Sequence, residues 1–393
     1  MLNGQKVFDA DTHIHPSLES LEPYLDPEFR ARLPELEQYK VGARSDQTTT
    51  PREDPSRHHY ALGLTGYRRP LGEAAPRESK DTHQRLHWGQ YTGKKLPAVG
   101  VIDDAIEARV ADMDEEGTDV HMMVPDVGIG VSLLGDPALE MGLIRAYHRF
   151  ADDYCSAHPD RFKAHLVVSG TAIEESVAEI EAWGDKPWAA GVWPYPGPGQ
   201  PLDHPQLEPF WKAAAERNLA IVHHSMTWVP PYFPGYRDMD DNRYLARLCS
   251  HPWGAMKFMA SFIGGGILDR YPSLRLGILE SGVGWLPFWV RRMEDQVDYV
   301  GFTADLKRKV TDYVTGGQFF ASIEMVEDED MIKMVMDFLG DDMLMYASDY
   351  PHAECKFPDS PSLVTGWKSI PPASMKKLMW DNAQRFLGQG HRP

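Results

Sequence analysis

Cysteine is scarce in this chain, and the three that occur, Cys155, Cys249 and Cys355, stand far apart. An odd, scattered set without a CxxC pair argues against a disulfide framework and fits a reducing, cytoplasmic setting. Long apolar runs are missing as well. None approaches the ~18–20 residues of a membrane span. The N-terminus enters a strand-like segment with no basic, apolar and small-residue leader, so no signal peptide is expected. Positive charge is in deficit, with 40 Lys and Arg against 58 Asp and Glu, a net charge of −18. Such a surface repels phosphate backbones and acidic headgroups, which removes nucleic acid and membrane from the expected partners and leaves a small-molecule substrate.

What is present is a core. The 393 residues are 42% hydrophobic, enough for one large α/β barrel or two ordinary domains. Strand-like segments are expected at Val7–His15, Asp119–Val124, Phe162–Val168, Ala189–Pro194, Leu219–His224, Leu274–Ser281, Gln318–Glu324 and Met343–Asp349. Helical patterns separate them: Asp103–Glu116, Pro137–His158, Ile173–Trp183, Pro205–Arg217, Asn242–Arg270, Leu286–Val300, Asp328–Leu339 and Ser374–Leu387. Continuous apolar runs such as HMMV and LAIV suit strands buried on both faces. Eight alternations with a closing helix predict a single (β/α)8 TIM barrel spanning 1–393. The rival is an open doubly wound sheet, but no Gly-rich phosphate loop follows the first strand. An irregular insertion after that strand, about 33–96, carries His58, His59, Tyr60, Tyr67, His83, His87, Trp88 and Tyr91. Its length and aromatic content read as a lid or an oligomer arm.

Catalytic groups of such barrels sit at the C-terminal strand ends. Strand one ends in DADTHIHP, where His13 and His15, two apart on a strand, leave one face and can grip one ion. Taken alone, an HxH pair is as readily chance. Strand five ends in IVHHS, offering His223 or His224; strand eight ends in YASDYPH, with Asp349 at the mouth and His352 just after. A hydrogen-bonded core histidine and a helix cap are the bland explanations of His223 and Asp349. Together the three ends supply two or three imidazoles and a carboxylate, a set for Zn²⁺, Mn²⁺ or Fe²⁺.

The phrases DADTHIHP, AAGVWPYPG with LDHPQLEPFWKAAAERNLAIVHHS, GGGILDRYPSLRLGILESGVGWLPF, MLMYASDYPH and DNAQRFLG resemble the amidohydrolase-related group of the amidohydrolase superfamily. That group includes aminocarboxymuconate-semialdehyde decarboxylase and the metal-dependent aromatic acid decarboxylases. The resemblance implies a barrel with one divalent metal, zinc first and manganese second, on His13, His15, the strand-five histidine and Asp349. Matching the LDHPQLEPFW phrase without gaps favours His223 as that histidine, with His224 the alternate. Many relatives carry a strand-six histidine; Ser281 stands there, beside Glu280, and serine does no acid–base work near neutrality. Glu280 is then either a proton-handling carboxylate with Asp349, or a structural one orienting a ligand. Binuclear relatives use a strand-four lysine, whereas this strand reads AAGVWPYP, so one metal is expected.

Trp193, Tyr195, His352 and His224 are candidates for lining the substrate pocket, although aromatic core filling explains the first two equally well. Arg237, Arg243, Arg291 and Arg292 are candidates for pairing with a substrate carboxylate. The expected reaction is non-oxidative decarboxylation of a carboxylated, aromatic small molecule by a lyase, the alternative being hydrolysis of an amide, ester or lactone by metal-bound water. A dimer or tetramer is expected by family analogy alone.

Overall fold

A computed structural model describes residues 1–2, 4–37, 40–43, 54–60, 92–98, 105–125, 136–197, 200–225 and 243–388. Eight parallel strands form one sheet: β1 Phe8–Ile14, β2 Val120–Pro125, β3 Phe162–Ser169, β4 Ala189–Tyr195, β5 Ala220–His224, β6 Arg275–Leu279, β7 Phe319–Ser322 and β8 Leu344–Met345. Their order in space is their order in sequence, and helices lie between them, which is the (β/α)8 barrel. All eight expected strands are present.

The ring closes where β8 returns to β1. The Ala10 N–H donates to Tyr346 O at 2.9 Å, the Asp349 N–H to Asp11 O at 3.1 Å, and the His13 N–H to Tyr350 O at 2.7 Å. Burial on both faces explains the apolar runs: every residue of VHMMVP, FKAHLVVS, AIVHH, RLGIL and FFAS is buried. Outside the ring, the C-terminal helix presses so closely on β6 that a Cβ at Gly277 would meet the Phe386 ring at 2.6 Å.

The expected helix Asn242–Arg270 is two helices, Arg243–Gly264 and Ile267–Arg270. The break falls at Gly266, whose φ of +69° is the left-handed conformation that ends helices. Among the described residues, no helix is long and apolar enough to cross a membrane.

One local irregularity positions the chemistry. In β1 the pairing runs Phe8 with Val120 and Asp9 with His121, then resumes at Thr12 with Met123. β1 therefore holds one residue more than its partner there, a bulge that resets which side chains face inward.

Most of the insertion, and with it the lid or oligomer-arm expectation, lies outside the described residues. Within them, Lys40–Ala43 and Asp54–Tyr60 form an antiparallel ribbon. Near the far end of the insertion, the Thr92 N–H donates to Ala353 O at 2.9 Å and the Lys94 N–H to Phe357 O at 3.1 Å, both in the loop after β8.

Candidate metal centre

Past the bulge, Asp11 and His13 project together at the strand ends, both essentially buried. His224 arrives from β5, Glu280 from the end of β6, and Asp349 from the turn after β8. His13 Nε2 lies 2.9 Å from Asp349 Oδ1 and 3.9 Å from both Asp11 Oδ1 and Glu280 Oε2. His224 Nε2 lies 2.8 Å from Glu280 Oε2 and 3.6 Å from Asp11 Oδ1. The two rings stand 4.9 Å apart at 78°. On the far side, His352 Nδ1 is 2.8 Å from Asp349 Oδ1, and its ring stacks on His13 at 3.8 Å.

Backbone conformation contributes to this convergence. Glu280 has φ +45° and Asp349 φ +61°, the left-handed region that non-glycine residues rarely occupy. Each costs on the order of 1–3 kcal/mol, a strain typical of residues whose aim matters more than their comfort.

The charges are interlocked. Burial pulls the His224 imidazolium down, but the carboxylates of Glu280 and Asp11 outweigh it and lift the group to about 9. Burial and Asp349 push Glu280 up, yet His224 wins and holds it at about 2. Asp349 is opposed by burial in the same way and is held low by His352 and His13. Asp11 is pushed well above the carboxylate range by burial, with relief from His224. His13 is lowered, by burial first and then by His352. A proton on His224 thus supplies the positive charge that this ring of carboxylates demands.

A cation fits that demand. Asp11 Oδ1 is buried and, among the described residues, accepts no hydrogen bond, although His13 Nε2 and His224 Nε2 lie 3.9 Å and 3.6 Å away. Ligand atoms ~2.1 Å from one ion at tetrahedral angles lie ~3.4 Å apart, close to these separations. Potential ligand atoms of Asp11, His13 and His224 fall within 4.8 Å of one another, as do those of His13, Glu280, Asp349 and His352, and those of His13, His15 and His352.

The expected residues divide accordingly. His13, Asp349, Glu280, His224 and His352 are brought together. His15, half-buried just past the end of β1, joins at the rim, 5.8 Å from the His13 ring and 5.5 Å from that of His352. The deeper neighbour of His13 is Asp11, a residue that the sequence pattern did not single out although it obeys the same two-residue spacing. His223 is not in the cluster. Its ring packs on Phe258 of the helix layer at 4.9 Å, because consecutive strand residues face opposite ways and His224 takes the inward position. The gapless match favoured His223, whereas the inward ring is that of His224.

Trp193 and Tyr195 are buried. Trp193 backs the His224 ring at 5.4 Å and Tyr195 backs Trp193 at 5.0 Å, so both act as support behind the cluster. Arg291 and Arg292 are exposed and pair along their own helix with Glu294 and Asp295. The side chains of Arg237 and Arg243 lie outside the described set.

Sequence reading also missed the clamp beneath the site. Buried Arg109 donates to His13 O and lies 3.2 Å from His121 Nδ1, with its guanidinium 5.0 Å over the Tyr350 ring. Tyr350 in turn donates to Asp112 Oδ2 at 2.6 Å. The helix Ile106–Glu116 thereby holds the ends of β1 and of the turn after β8. Nothing in the spacing of these residues signals it. Above the cluster opens a cavity of about 300 Å³, floored by Asp11, Glu280 and Asp349 and walled by His251, Ile323 and Val326.

Comparison with known proteins agrees with this architecture. A curated relative, 2-amino-3-carboxymuconate-6-semialdehyde decarboxylase of Dictyostelium discoideum, is 26% identical over 197 residues, 48% of this chain and 50% of the relative. The chain thus spans about half the length of the curated relative it matches. An amidohydrolase of Mycobacterium avium subsp. paratuberculosis K-10 superposes with a TM-score of 0.70 at 19% identity, covering 99% of each chain. A 5-carboxyvanillate decarboxylase of Novosphingobium aromaticivorans, complexed with manganese and 4-hydroxy-3-methoxy-5-nitrobenzoic acid, superposes with a TM-score of 0.66 at 20% identity, over 98% of this chain and 96% of that one. At such identities the two structures speak for the fold. The family model described as amidohydrolase matches residues 10–389, nearly the whole barrel, and the chain belongs to the amidohydrolase family.

Proposed function

We propose that this protein is a lyase that uses one divalent metal ion to decarboxylate a carboxylated, aromatic small molecule without oxidation. The observation that carries the reading is Asp11 Oδ1, buried between two imidazole nitrogens at the floor of a cavity and without a hydrogen bond among the described residues. Asp11, His13, His224 and Asp349 are the residues that would hold the ion. When bound, the metal supplies Lewis acidity toward a substrate carboxylate and its neighbouring oxygen. The chain's own groups do the rest. Ile323 and Val326 wall the cavity with apolar surface for a flat ring. Glu280 Oε2 lies 2.8 Å from His224 Nε2, the nitrogen that would face the ion, and His352 braces Asp349 from the same distance.

The names of the relatives support the choice of reaction. The donor set supports manganese as well as zinc, since replacing a third imidazole by Asp11 gives two oxygens and two nitrogens, harder than the histidine-rich set expected from the sequence. A homo-oligomer in the cytoplasm completes the reading.

Hydrolysis is the second reading, and one feature favours it. Glu280, a carboxylate 2.8 Å from His224 Nε2, stands beside the metal position, where hydrolysis by bound water requires a base. The test is direct. Metal-reconstituted protein is offered a panel of hydroxybenzoates, lactones and amides while CO₂ and titratable acid are recorded. CO₂ from the aromatic acids is expected; acid from the lactones or amides without CO₂ would replace the lyase by a hydrolase.

A further inference from the structure

Decarboxylation leaves an electron pair on a ring carbon, which must take up a proton. The strand-six position that provides an acid in many relatives is Ser281 here. Its hydroxyl donates to Leu279 O at 3.1 Å and is hydrogen-bonded to the Ser225 hydroxyl at 2.5 Å, an arrangement that commits it to the backbone. Glu280 Oε2 lies 2.8 Å from His224 Nε2, and Asp11 and Asp349 belong to the cation. Besides the carboxylates of Glu324 and Glu354, the described residues that line the cavity include one imidazole, His251, and no lysine, tyrosine or cysteine.

His251 comes from an unexpected place, the helix Arg243–Gly264 rather than a strand end. It is 9% exposed, and its Nδ1 lies 3.8 Å from Glu280 Oε1. That distance is too long for a hydrogen bond but sets a carboxylate beside the ring. Its carbonyl oxygen lies 3.3 Å from the Ser225 hydroxyl, which sets the helix against the residue after His224. The other histidine facing it, His223, is kept neutral, by burial first and then by His224 and His251.

We infer that His251 is the catalytic acid that protonates the substrate carbon, a role moved from strand six to the helix following strand five. The inference rests on the decarboxylase reading. The step balances: the bond from the ring carbon to the carboxylate breaks, its electron pair stays on the carbon, CO₂ leaves, and the carbon takes the proton of the His251 imidazolium. Solvent entering the cavity reprotonates the ring. The proton step can be read without decarboxylation, because the same acid and base exchange a ring hydrogen of the phenolic product with solvent.

The experiment compares wild type with His251→Gln and His251→Ala, each loaded with Mn²⁺. It measures CO₂ release from 2,6-dihydroxybenzoate and other hydroxybenzoates, deuterium uptake by resorcinol in D₂O, metal content and melting temperature. Expected for His251→Gln is full metal and near-native melting, with CO₂ release and deuterium uptake both lowered about 10²–10⁴-fold. In His251→Ala, added imidazole restores part of both rates, which a merely structural residue would not allow. Wild-type turnover kept within about twofold in His251→Gln overturns the inference. Wild type that neither releases CO₂ from any acid nor exchanges resorcinol overturns the decarboxylase reading itself, and the role of His251 with it.

Discussion

His224 Nε2 faces Glu280 Oε2 at 2.8 Å, while its neighbour His223 turns its ring to Phe258 on the opposite side of the strand. Two adjacent histidines are thereby given different tasks, and substitution separates them. His224→Ala is expected to lose bound metal and all turnover. His223→Ala is expected to keep metal near one equivalent per chain while losing about 1–3 kcal/mol of stability, from a buried ring removed beside Phe258. Metal analysis and urea unfolding of both variants check this, and loss of metal in the His223 variant alone would reverse the assignment.

The same histidine predicts a pH signature. Its folded value of about 9 lies above its ordinary 6.5. The stability it contributes to the metal-free protein is therefore complete below about 6.5 and is lost as pH climbs through 9. A metal ligand must be neutral, so the ion takes over from the proton as pH rises. The gap in melting temperature between loaded and metal-free protein is expected to widen over that interval. A gap that narrows would contradict the exchange of proton for cation.

Glu280 is expected to matter through charge. Glu280→Gln keeps the shape but removes the anion that faces His224 and His251. Turnover should fall more than tenfold. A rate within about twofold of wild type would leave Glu280 no part in proton handling, since such roles contribute ~10²–10⁴-fold.

A buried acid away from the cluster gives a test of stability alone. Glu116 is pushed up to about 8, by burial first and then by Asp9, which burial itself lifts to about 7. One oxygen of Glu116, Oε1, is buried without a hydrogen-bond partner among the described residues. An acid raised on folding destabilises the fold increasingly from its ordinary value, 4.5, up to its folded one. Glu116→Gln is expected to raise the melting temperature near pH 8 and to flatten the decline in stability between those limits. Every tenfold weakening of the acid on folding costs about 1.4 kcal/mol, which the neutral amide does not incur. Melting curves of both proteins between pH 5 and pH 8 make the comparison, and parallel curves would contradict it.

Arg109 supplies the last prediction. Arg109→Lys keeps the charge but loses the fork that reaches His13 O and lies against His121. A loss of about 2 kcal/mol is expected, together with weaker metal binding as the end of β1 loosens. Unfolding curves and metal titration measure the two effects separately.

The barrel was legible because strands buried on both faces must be continuous apolar runs, and eight of these alternate with helical patterns. That same double burial hides orientation. AIVHH is apolar on either side of His223 and His224, so hydrophobicity cannot say which histidine looks inward. Asp11 was obscured by a different cause. The bulge between Asp9 and Thr12 is a property of pairing with β2, invisible in β1 alone, and it sets the phase that sends Asp11 to the site. His251 carried no signal, because a helix places it near Glu280 through packing across the chain and not through spacing. Arg109 carried no signal either, because its burial is set by the three-dimensional fold.

The final strand is two residues long, and few backbone hydrogen bonds join its end of the ring to β1. At that seam His13 meets Asp349. An ion held there would act as a clasp, drawing the first and last strands together at their outer ends. Completing the circle and arming the catalyst would then be one event, with the reactive centre serving as the fastener of the cylinder that carries it.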